Sequence, residues 1–287
     1  MPRAEPRESA RSDAIGIAEI QFVRRGDATR LAHLYQRDPL RVLFPAPEAN
    51  DIPLAILLTT SGGLVAGDRL AIDIKVGEGA AAHVTAAAAE KVYRSTGATT
   101  VITQQLRVAE GAWLEYLPPE TILFDGARLR RETRIELAAG AGVLGGGILV
   151  FGRQARGERL THGLINERWE IWHNGALVWG DALHLDGDIR AIIADPACFA
   201  GAAACATLIL GPPKGDPAAF LNAARTIQAR SAAPGLHAGA TVVNGLLIAR
   251  WLAADALAVR NAYAELACHL REAAMGLPPC LPRLWHV

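Results

Sequence analysis

The sequence predicts a mainly β protein of stacked strand-turn-strand units, with a few α-helices, mostly C-terminal. The first observation is a repeat, in which a strand ending in an aliphatic residue, a Gly-Ala turn and a returning apolar strand occur at 72–84, 105–117 and 134–146. The Gly-Ala pairs begin at Gly79, Gly111 and Gly140, so the spacing is 32 and then 29 residues. Because one such unit cannot bury its apolar face alone, neighbouring units must cover one another.

Short alternating runs support the β assignment towards the N-terminus. The polar residues 1–13 are predicted to form a disordered tail, and 15–35 a hairpin around Arg25-Gly26-Asp27. Four prolines between 39 and 53 indicate a loop, and the apolar run 54–58 is typical of a buried strand. Leu70, Ile72, Ile74 and Val76 then alternate with small or charged residues, which predicts a half-buried strand.

The second half of the chain begins with a hairpin and then changes character. Segments 164–172 and 176–185 alternate around Asn174-Gly175, the strongest short hairpin signal. After residue 200, Asp216-Pro217 and Asp255 are predicted helix starts, followed by apolar residues at helical spacing. We therefore divide the chain into the tail at 1–13, a β-rich body at 14–200, and a mixed region at 201–287 with covering helices and a docked C-terminal tail.

Composition excludes several classes of protein. A hydrophobic fraction of 51% and a charged fraction of 20% in 287 residues are typical of a folded chain with a large core. Zero net charge argues against nucleic-acid and anionic-membrane partners. The sequence offers no apolar stretch for a membrane helix or a signal peptide, and its four cysteines fit no zinc spacing. A cytoplasmic protein with reduced thiols is expected.

Two glycine-rich motifs suggest nucleotide chemistry, and neither has the required context. Residues 61–68 read SGGLVAGD; a phosphate loop needs Gly-Lys-Ser/Thr before a helix, so a tight turn bonded by Asp68 is the alternative. The segment GAGVLG at 140–145 satisfies GxGxxG, with Glu158 as a ribose-binding acid. Gly146-Gly147 and an apolar run follow it and predict a strand, so a dinucleotide-binding oxidoreductase is the less favoured alternative.

Acidic residues beside turns are the other candidate site. The set comprises Asp68, Glu115, Glu120, Asp125, Glu158 and Asp181. They either solvate turns or line a surface or passage for a divalent ion, which oxygen ligands hold loosely enough to release. The eight histidines form no HExxH or HxH motif, and no GxSxG motif occurs, so the sequence indicates no catalytic site.

Six motifs, in order, give the chain a family resemblance. They are SGGLVAGD (61–68), KVYRS (91–95), LEYLPPETILFDGARL (114–129), GRQARGE (152–158), NGLLIAR (244–250) and PRLWHV (282–287). From about residue 15 onward the chain resembles urease accessory proteins of the UreD/UreH family. The resemblance implies an elongated, helically wound β-sheet structure without catalysis of its own. It also implies partners, namely apo-urease, UreF and, through UreF, the GTPase UreG.

The resemblance further implies that nickel passes transiently to urease through an internal tunnel, with no tightly bound cofactor. Asp68 and Asp181 stand where family members carry acidic residues linked to that role, and Glu158 is a third candidate. Where members carry an acid just before the GR motif, this chain has Gly146-Gly147, so it must do without that acid or use Glu90 instead. Loop-shaping or partner-contacting roles fall to Gly62, Gly63, Gly67, Lys91, Tyr93, Arg94, Glu120 and Arg153. A metal-free structural adaptor is the third hypothesis.

Overall fold

The computed structural model describes residues 16–211, 215–231 and 234–286. It confirms the predicted fold class, because strands make up 51% of the structure and stack in a solenoid-like arrangement. The predicted tail at 1–13 lies outside the described residues.

The strands follow one another along most of the described chain. They are β1 (Gly16–Arg25), β2 (Ala28–Arg37), β3 (Leu40–Leu43), β4 (Leu54–Thr59), β5 (Arg69–Val76), β6 (Ala81–Ala86), β7 (Glu90–Val92), β8 (Thr100–Val108), β9 (Trp113–Tyr116), β10 (Thr121–Leu123), β11 (Arg128–Leu137), β12 (Gly142–Phe151), β13 (His162–His173), β14 (Ala176–Asp188), β15 (Ala204–Gly211), β16 (His237–Val243) and β17 (Leu246–Ala253). The helices in the described ranges are α1 (Ile189–Ala194), α2 (Ala218–Arg230) and α3 (Ala256–Met275), with short 3-10 turns at Gln154–Arg156 and Arg283–His286.

Two sheets face each other across the core. The seven-stranded sheet has the order β14-β13-β11-β8-β5-β1-β2. The ten-stranded sheet has the order β16-β17-β15-β12-β9-β6-β4-β3, and β7 and β10 join it beside β12. Inward-facing aliphatic side chains of both sheets, such as Ile74, Leu106 and Leu114, are fully buried between them.

The repeat in the sequence is one turn of the solenoid. Successive turns run β5-β6-β7, β8-β9-β10 and β11-β12, and equivalent strands pair in parallel. The Gly-Ala turns stack as well, since Gly79 N donates to Glu110 O at 3.0 Å and Gly111 N donates to Ala139 O at 3.2 Å. Each repeat glycine has φ of +62° or +63°, which explains why glycine recurs at that position.

The predicted hairpins are present at both ends of the seven-stranded sheet. β1 and β2 pair antiparallel around Gly26, and β13 and β14 pair antiparallel around Asn174-Gly175. Asn174 and Gly175 have φ of 48° and 78°, as a tight two-residue hairpin turn requires. The segment after Gly140 forms strand β12 and not a helix, so the chain lacks the helix N-terminus that a pyrophosphate would contact there.

The C-terminal region adds strands and helices to the ten-stranded sheet. The Asp255 carboxylate accepts from Leu257 N at 2.9 Å and caps α3, as predicted. The N-cap of α2 is Pro217, one residue after the predicted Asp216, whose carboxylate accepts from Ala218 N at 2.9 Å. α3 buries Val259, Tyr263 and Leu266. Leu281 and Trp285 are also buried, and they hold the end of the chain against the body. The predicted domain boundary near residue 200 stays a prediction. β15 and β17, which follow it, belong to the same ten-stranded sheet as the strands before it.

Adjacent glycines in β12 provide a first prediction about packing. A Cβ on Gly146 would lie 2.2 Å from Thr207 O and 2.7 Å from the Tyr263 hydroxyl, whereas one on Gly147 would lie 3.6 Å from Trp169. We expect Gly146→Ala to lower the free energy of unfolding by about 1–3 kcal/mol, since it pushes β15 and α3 away. Gly147→Ala is the matched control, with a change below about 0.5 kcal/mol. Equal losses in urea unfolding would contradict this packing.

Candidate functional site

The glycine loop at 61–68 packs against the KVYRS segment. Leu64 N donates to Lys91 O at 2.7 Å, and Tyr93 N donates back to Leu64 O at 2.9 Å. The Tyr93 hydroxyl donates to Gly62 O at 3.0 Å. A Cβ on Gly63 would lie 2.6 Å from the Tyr93 ring, so only glycine allows this approach. The fold thus joins two motifs that are about thirty residues apart in sequence.

Asp68 closes the glycine loop as a turn residue. Its carboxylate accepts from Val65 N at 2.8 Å, and its own N–H donates to Val65 O at 3.1 Å. The preceding Gly67 has φ of 86°. Asp68 leads directly into β5, so the loop has neither the helix nor the lysine of a phosphate loop. The carboxylate is half-buried and keeps a second oxygen for another contact.

Arg94 contacts the turn at Asp125. An Arg94 guanidinium nitrogen lies 3.4 Å from the Asp125 carboxylate. The other carboxylate oxygen accepts from Thr161 N at 2.7 Å and from the Thr161 hydroxyl at 2.8 Å. Although burial opposes it, these hydrogen bonds lower the pKa of Asp125. Asp125 therefore fixes the loop and stays ionised.

Glu158 is held by the arginine of its own motif. The Arg153 guanidinium donates to both Glu158 carboxylate oxygens, at 3.1 and 2.5 Å, and lies 4.4 Å from the centre of the Phe124 ring. Hydrogen bonding to Arg153 lowers the pKa of Glu158. The Asp125 N–H adds a third donor at 3.2 Å. Glu158 and Arg153 thus act together to hold the turn after β12.

Asp181 lies far from Asp68. It belongs to β14 and contacts Arg250 of β17 at 2.8 Å, where the two sheets meet. Three strands, β8, β11 and β13, separate β14 from β5 in the seven-stranded sheet. Four strand spacings of roughly 4.8 Å separate β14 from β5 by about 19 Å across the sheet. The fold does not bring these two candidate residues into one site.

Glu90 borders a cavity between the two sheets. The cavity has a volume of about 60 Å³, and Gly147, Arg131 and Tyr116 are also among its lining residues. The Thr59 hydroxyl donates to the Glu90 carboxylate at 2.6 Å. Burial raises the pKa of Glu90 against that hydrogen bond, and the nearby Asp68 carboxylate adds to the rise. The positions singled out as departures from the family pattern, Glu90 and Gly147, therefore line one space.

A buried arginine faces Glu90 across this cavity, and its charge is already paired. Arg131 donates to both carboxylate oxygens of Glu167 at 2.9–3.0 Å and to the Thr121 hydroxyl at 2.8 Å. Arg131 and Glu167 are 8% and 7% exposed. Glu167 takes up most of the arginine's charge, and Arg131 still offsets part of the rise that burial causes in the pKa of Glu90.

Glu120 and Lys91 complete the predicted set. Glu120 is buried, lies 3.4 Å from Arg260 of α3, and keeps one oxygen without a hydrogen-bond partner among the described residues. Its main-chain carbonyl accepts from Glu90 N at 2.8 Å. The Lys91 side chain is exposed on the outer surface. In the described ranges, no three His, Cys, Asp or Glu side chains are grouped as a fixed metal site would require.

Sequence reasoning missed a buried ionic network beneath α3. Arg271 and Glu115 are both fully buried and lie 3.0 Å apart; Arg271 also contacts Asp51 at 2.7 Å. His83 Nδ1 lies 3.2 Å from the Glu115 carboxylate. Arg271 lies beside Leu270 on the buried face of α3. A charged residue at a core-facing position of a helix is the feature of the sequence that could have indicated a buried ion pair.

Comparison with known proteins matches nearly the whole chain. The family model described as UreD urease accessory protein matches residues 14–286. A protein of Magnetococcus marinus named urease accessory protein UreD is 42% identical over 286 residues, covering 98% of each chain. One of the same name from a Methylobacterium strain is 43% identical over 262 residues, covering 91% of this chain and 90% of the relative. Helices in the described part of the chain are too short or too polar to cross a membrane.

Proposed function

Because the chain belongs to the family of UreD urease accessory proteins, we propose that it is a nickel-delivery scaffold for urease maturation. In this proposal it acts in the cytoplasm without catalysis of its own. It binds apo-urease and the accessory protein UreF, and through UreF the GTPase UreG. Nickel is the cargo that it passes to urease, and no cofactor stays bound.

The observation that carries the nickel proposal is the acidic edge of the internal cavity. Glu90 and Asp68 are close enough to influence each other's charge, and Glu90 opens into the space between the sheets. Carboxylates bind a divalent cation through hard oxygen ligands, and two of them are too few to trap it. Such loose coordination suits transfer better than storage.

Glu90 takes the role that an acid beside the GR motif has in other members. Gly147 leaves that position without a side chain, and Glu90 lines the same cavity from β7. We assign Asp68 and Glu90 to one section of the nickel route. Asp181 and Glu158 occupy separate positions nearer the surface, where each carboxylate would release its arginine partner when it binds the cation.

Substitution of Glu90 tests this assignment. We expect Glu90→Gln to lower several-fold the nickel content of urease co-expressed with the accessory proteins, because the amide keeps the shape and loses the charge. Adding Gly147→Asp to this variant is expected to restore part of the nickel, since a side chain there enters the same cavity. Metal analysis of purified urease is the measurement, and a pull-down confirms that the complex still assembles.

The metal-free adaptor is a second candidate with its own supporting observation. The carboxylates of Asp181 and Glu158 are paired with arginines, and no three-residue ligand group occurs in the described ranges. If the chain is a metal-free adaptor, deleting it should lower the nickel content of urease, whereas Glu90→Gln should leave that content unchanged. That result would reject the nickel route while keeping the role in urease maturation.

A further inference from the structure

Among the described residues, β2 is the last strand at one end of the solenoid. β2 pairs with β1 on one side only, and the N–H and C=O groups along its other side bond to no other described segment. Two main-chain N–H groups of the ten-stranded sheet donate to side chains of β2. Val42 N donates to the side-chain oxygen of Gln36 at 2.8 Å, and Ala81 N donates to the Thr29 hydroxyl at 3.0 Å. From residue 28 to residue 36 this edge has no strand partner among the described residues, and such an edge is a template for another strand.

Core-facing side chains of β2 are left uncovered. Leu31 and Leu34 lie opposite Phe22 and Ile20 of β1, which are both 1% exposed, so they point towards the space between the sheets. Leu31 and Leu34 are nevertheless 39% and 38% exposed. Phe44, which packs edge-on against Phe22 at 6.4 Å, is 37% exposed on the same side. A stacked repeat normally needs a terminal unit to cover such residues.

The arginines around this edge favour a strand that carries acidic side chains. Arg30 projects from the outer face of β2, and Arg25 lies at its turn; neither has an ion-pair partner among the described residues. Arg24 donates to the carbonyl of Gly26 at 2.9 Å. A second copy of β2 would bring a second Arg30 to the same edge, which like-charge repulsion disfavours.

We propose that the free edge of β2 binds an extended segment of another protein in which apolar and acidic residues alternate. The segment adds as a strand beside β2, its apolar side chains cover Leu31, Leu34 and Phe44, and its acidic side chains lie next to Arg30. Main-chain hydrogen bonds hold the added strand in place, and the alternation of apolar and acidic side chains determines which segments bind. This surface is separate from the Glu90 cavity and does not depend on nickel transfer.

A pair of synthetic peptides tests the proposal on the full chain. Both are ten residues long and alternate leucine or valine with a charged residue, which is glutamate in one and lysine in the other. We expect the glutamate peptide to bind at least about tenfold more tightly by fluorescence anisotropy, with the difference shrinking at high salt. Hydrogen exchange should slow at residues 28–37 when it binds.

Matched variants locate the binding edge. Leu34→Glu and Arg30→Glu are each expected to weaken glutamate-peptide binding at least about fivefold by removing apolar cover or charge. Leu177→Glu in β14, at the other end of the same sheet, and Arg190→Glu in the neighbouring helix α1 are exposed control positions and should leave the binding unchanged. Circular dichroism verifies that all four variants fold.

Four results would overturn the proposal. They are the absence of binding by either peptide, equal binding of both, exchange protection confined to other strands, and protection in the free protein of those β2 N–H groups that point away from β1. Free-state protection that grows with concentration, alongside a dimer in analytical ultracentrifugation, would identify a second copy as the occupant. Protection that is independent of concentration would mean that the chain covers this edge itself.

Discussion

Arg271→Leu is expected to lower the free energy of unfolding by about 3–5 kcal/mol, the usual loss when one partner of a buried ion pair is removed. The guanidinium is fully buried, and Glu115, also fully buried, accepts from two of its nitrogens at 3.0–3.2 Å. Without the arginine, Glu115 must remain as an uncompensated buried charge or take up a proton. Urea unfolding monitored by tryptophan fluorescence measures the change.

The same arginine ties the C-terminal segment to the body. One of its nitrogens donates to Pro278 O at 2.7 Å and to Cys280 O at 2.5 Å. These carbonyls belong to the connection between α3 and the buried residues Leu281 and Trp285. We therefore expect Arg271→Leu to speed proteolysis of the last ten residues more than it speeds cleavage elsewhere.

A double-mutant cycle separates the buried charge from lost packing. Arg271→Leu with Glu115→Leu removes the fully buried carboxylate and leaves only that of Asp51, which is 13% exposed, so the double variant should recover part of the stability lost in the single one. Arg250→Leu is the control, because it breaks the exposed Arg250–Asp181 pair and should cost less than about 1 kcal/mol. Additive losses, or a control as damaging as Arg271→Leu, would contradict a role for buried charge.

Local patterns in the sequence predicted the solenoid because its determinants are local. A positive-φ turn that recurs at Gly79, Gly111 and Gly140 must be glycine in each repeat, and alternation along β5 follows from one face being buried. The Asn174-Gly175 hairpin and the helix start at Asp255 depend on neighbours in the chain in the same way. Elements of this kind can be predicted from one sequence.

Pairing across the fold could not be predicted in this way. Arg271 and Glu115 are 156 positions apart, and nothing local indicates that they meet. The distance between Asp68 and Asp181 follows from sheet order, which periodicity does not specify. The cavity beside Glu90 exists because Gly147 of a later turn has no side chain to fill it. Site geometry therefore depends on the stacking order of the turns.

The stability of the protein is expected to fall steeply below pH 6.5 because of His83. Burial, together with the nearby Arg271 guanidinium, lowers the pKa of His83 from 6.5 to about 3. Between those values the unfolded chain binds a proton at this residue and the folded chain does not, so stability is lost as the pH falls. At about 1.36 kcal/mol per pKa unit, the loss at pH 5 is about 2 kcal/mol.

His83→Asn isolates this contribution. Asparagine keeps a donor near the position of Nδ1, which faces Glu115, and it does not titrate. Glu115 works in the opposite direction, since burial raises the pKa of its carboxyl and folding then favours proton uptake. Both proteins contain Glu115, so the difference between their unfolding free energies from pH 7 to pH 5 reports His83. The variant should lose about 2 kcal/mol less than the wild type over that range.

The surroundings of the second imidazole nitrogen explain why the folded protein disfavours the charged form of His83. His83 Nε2 is buried and has no hydrogen-bond partner among the described residues, so a proton placed there would meet no acceptor. The folded chain can accept a charged imidazole only by disturbing the buried network of His83, Glu115 and Arg271. Parallel pH profiles for the wild type and His83→Asn would show that the charged ring is accommodated, and the ionic network under α3 would then be less rigid than its geometry indicates.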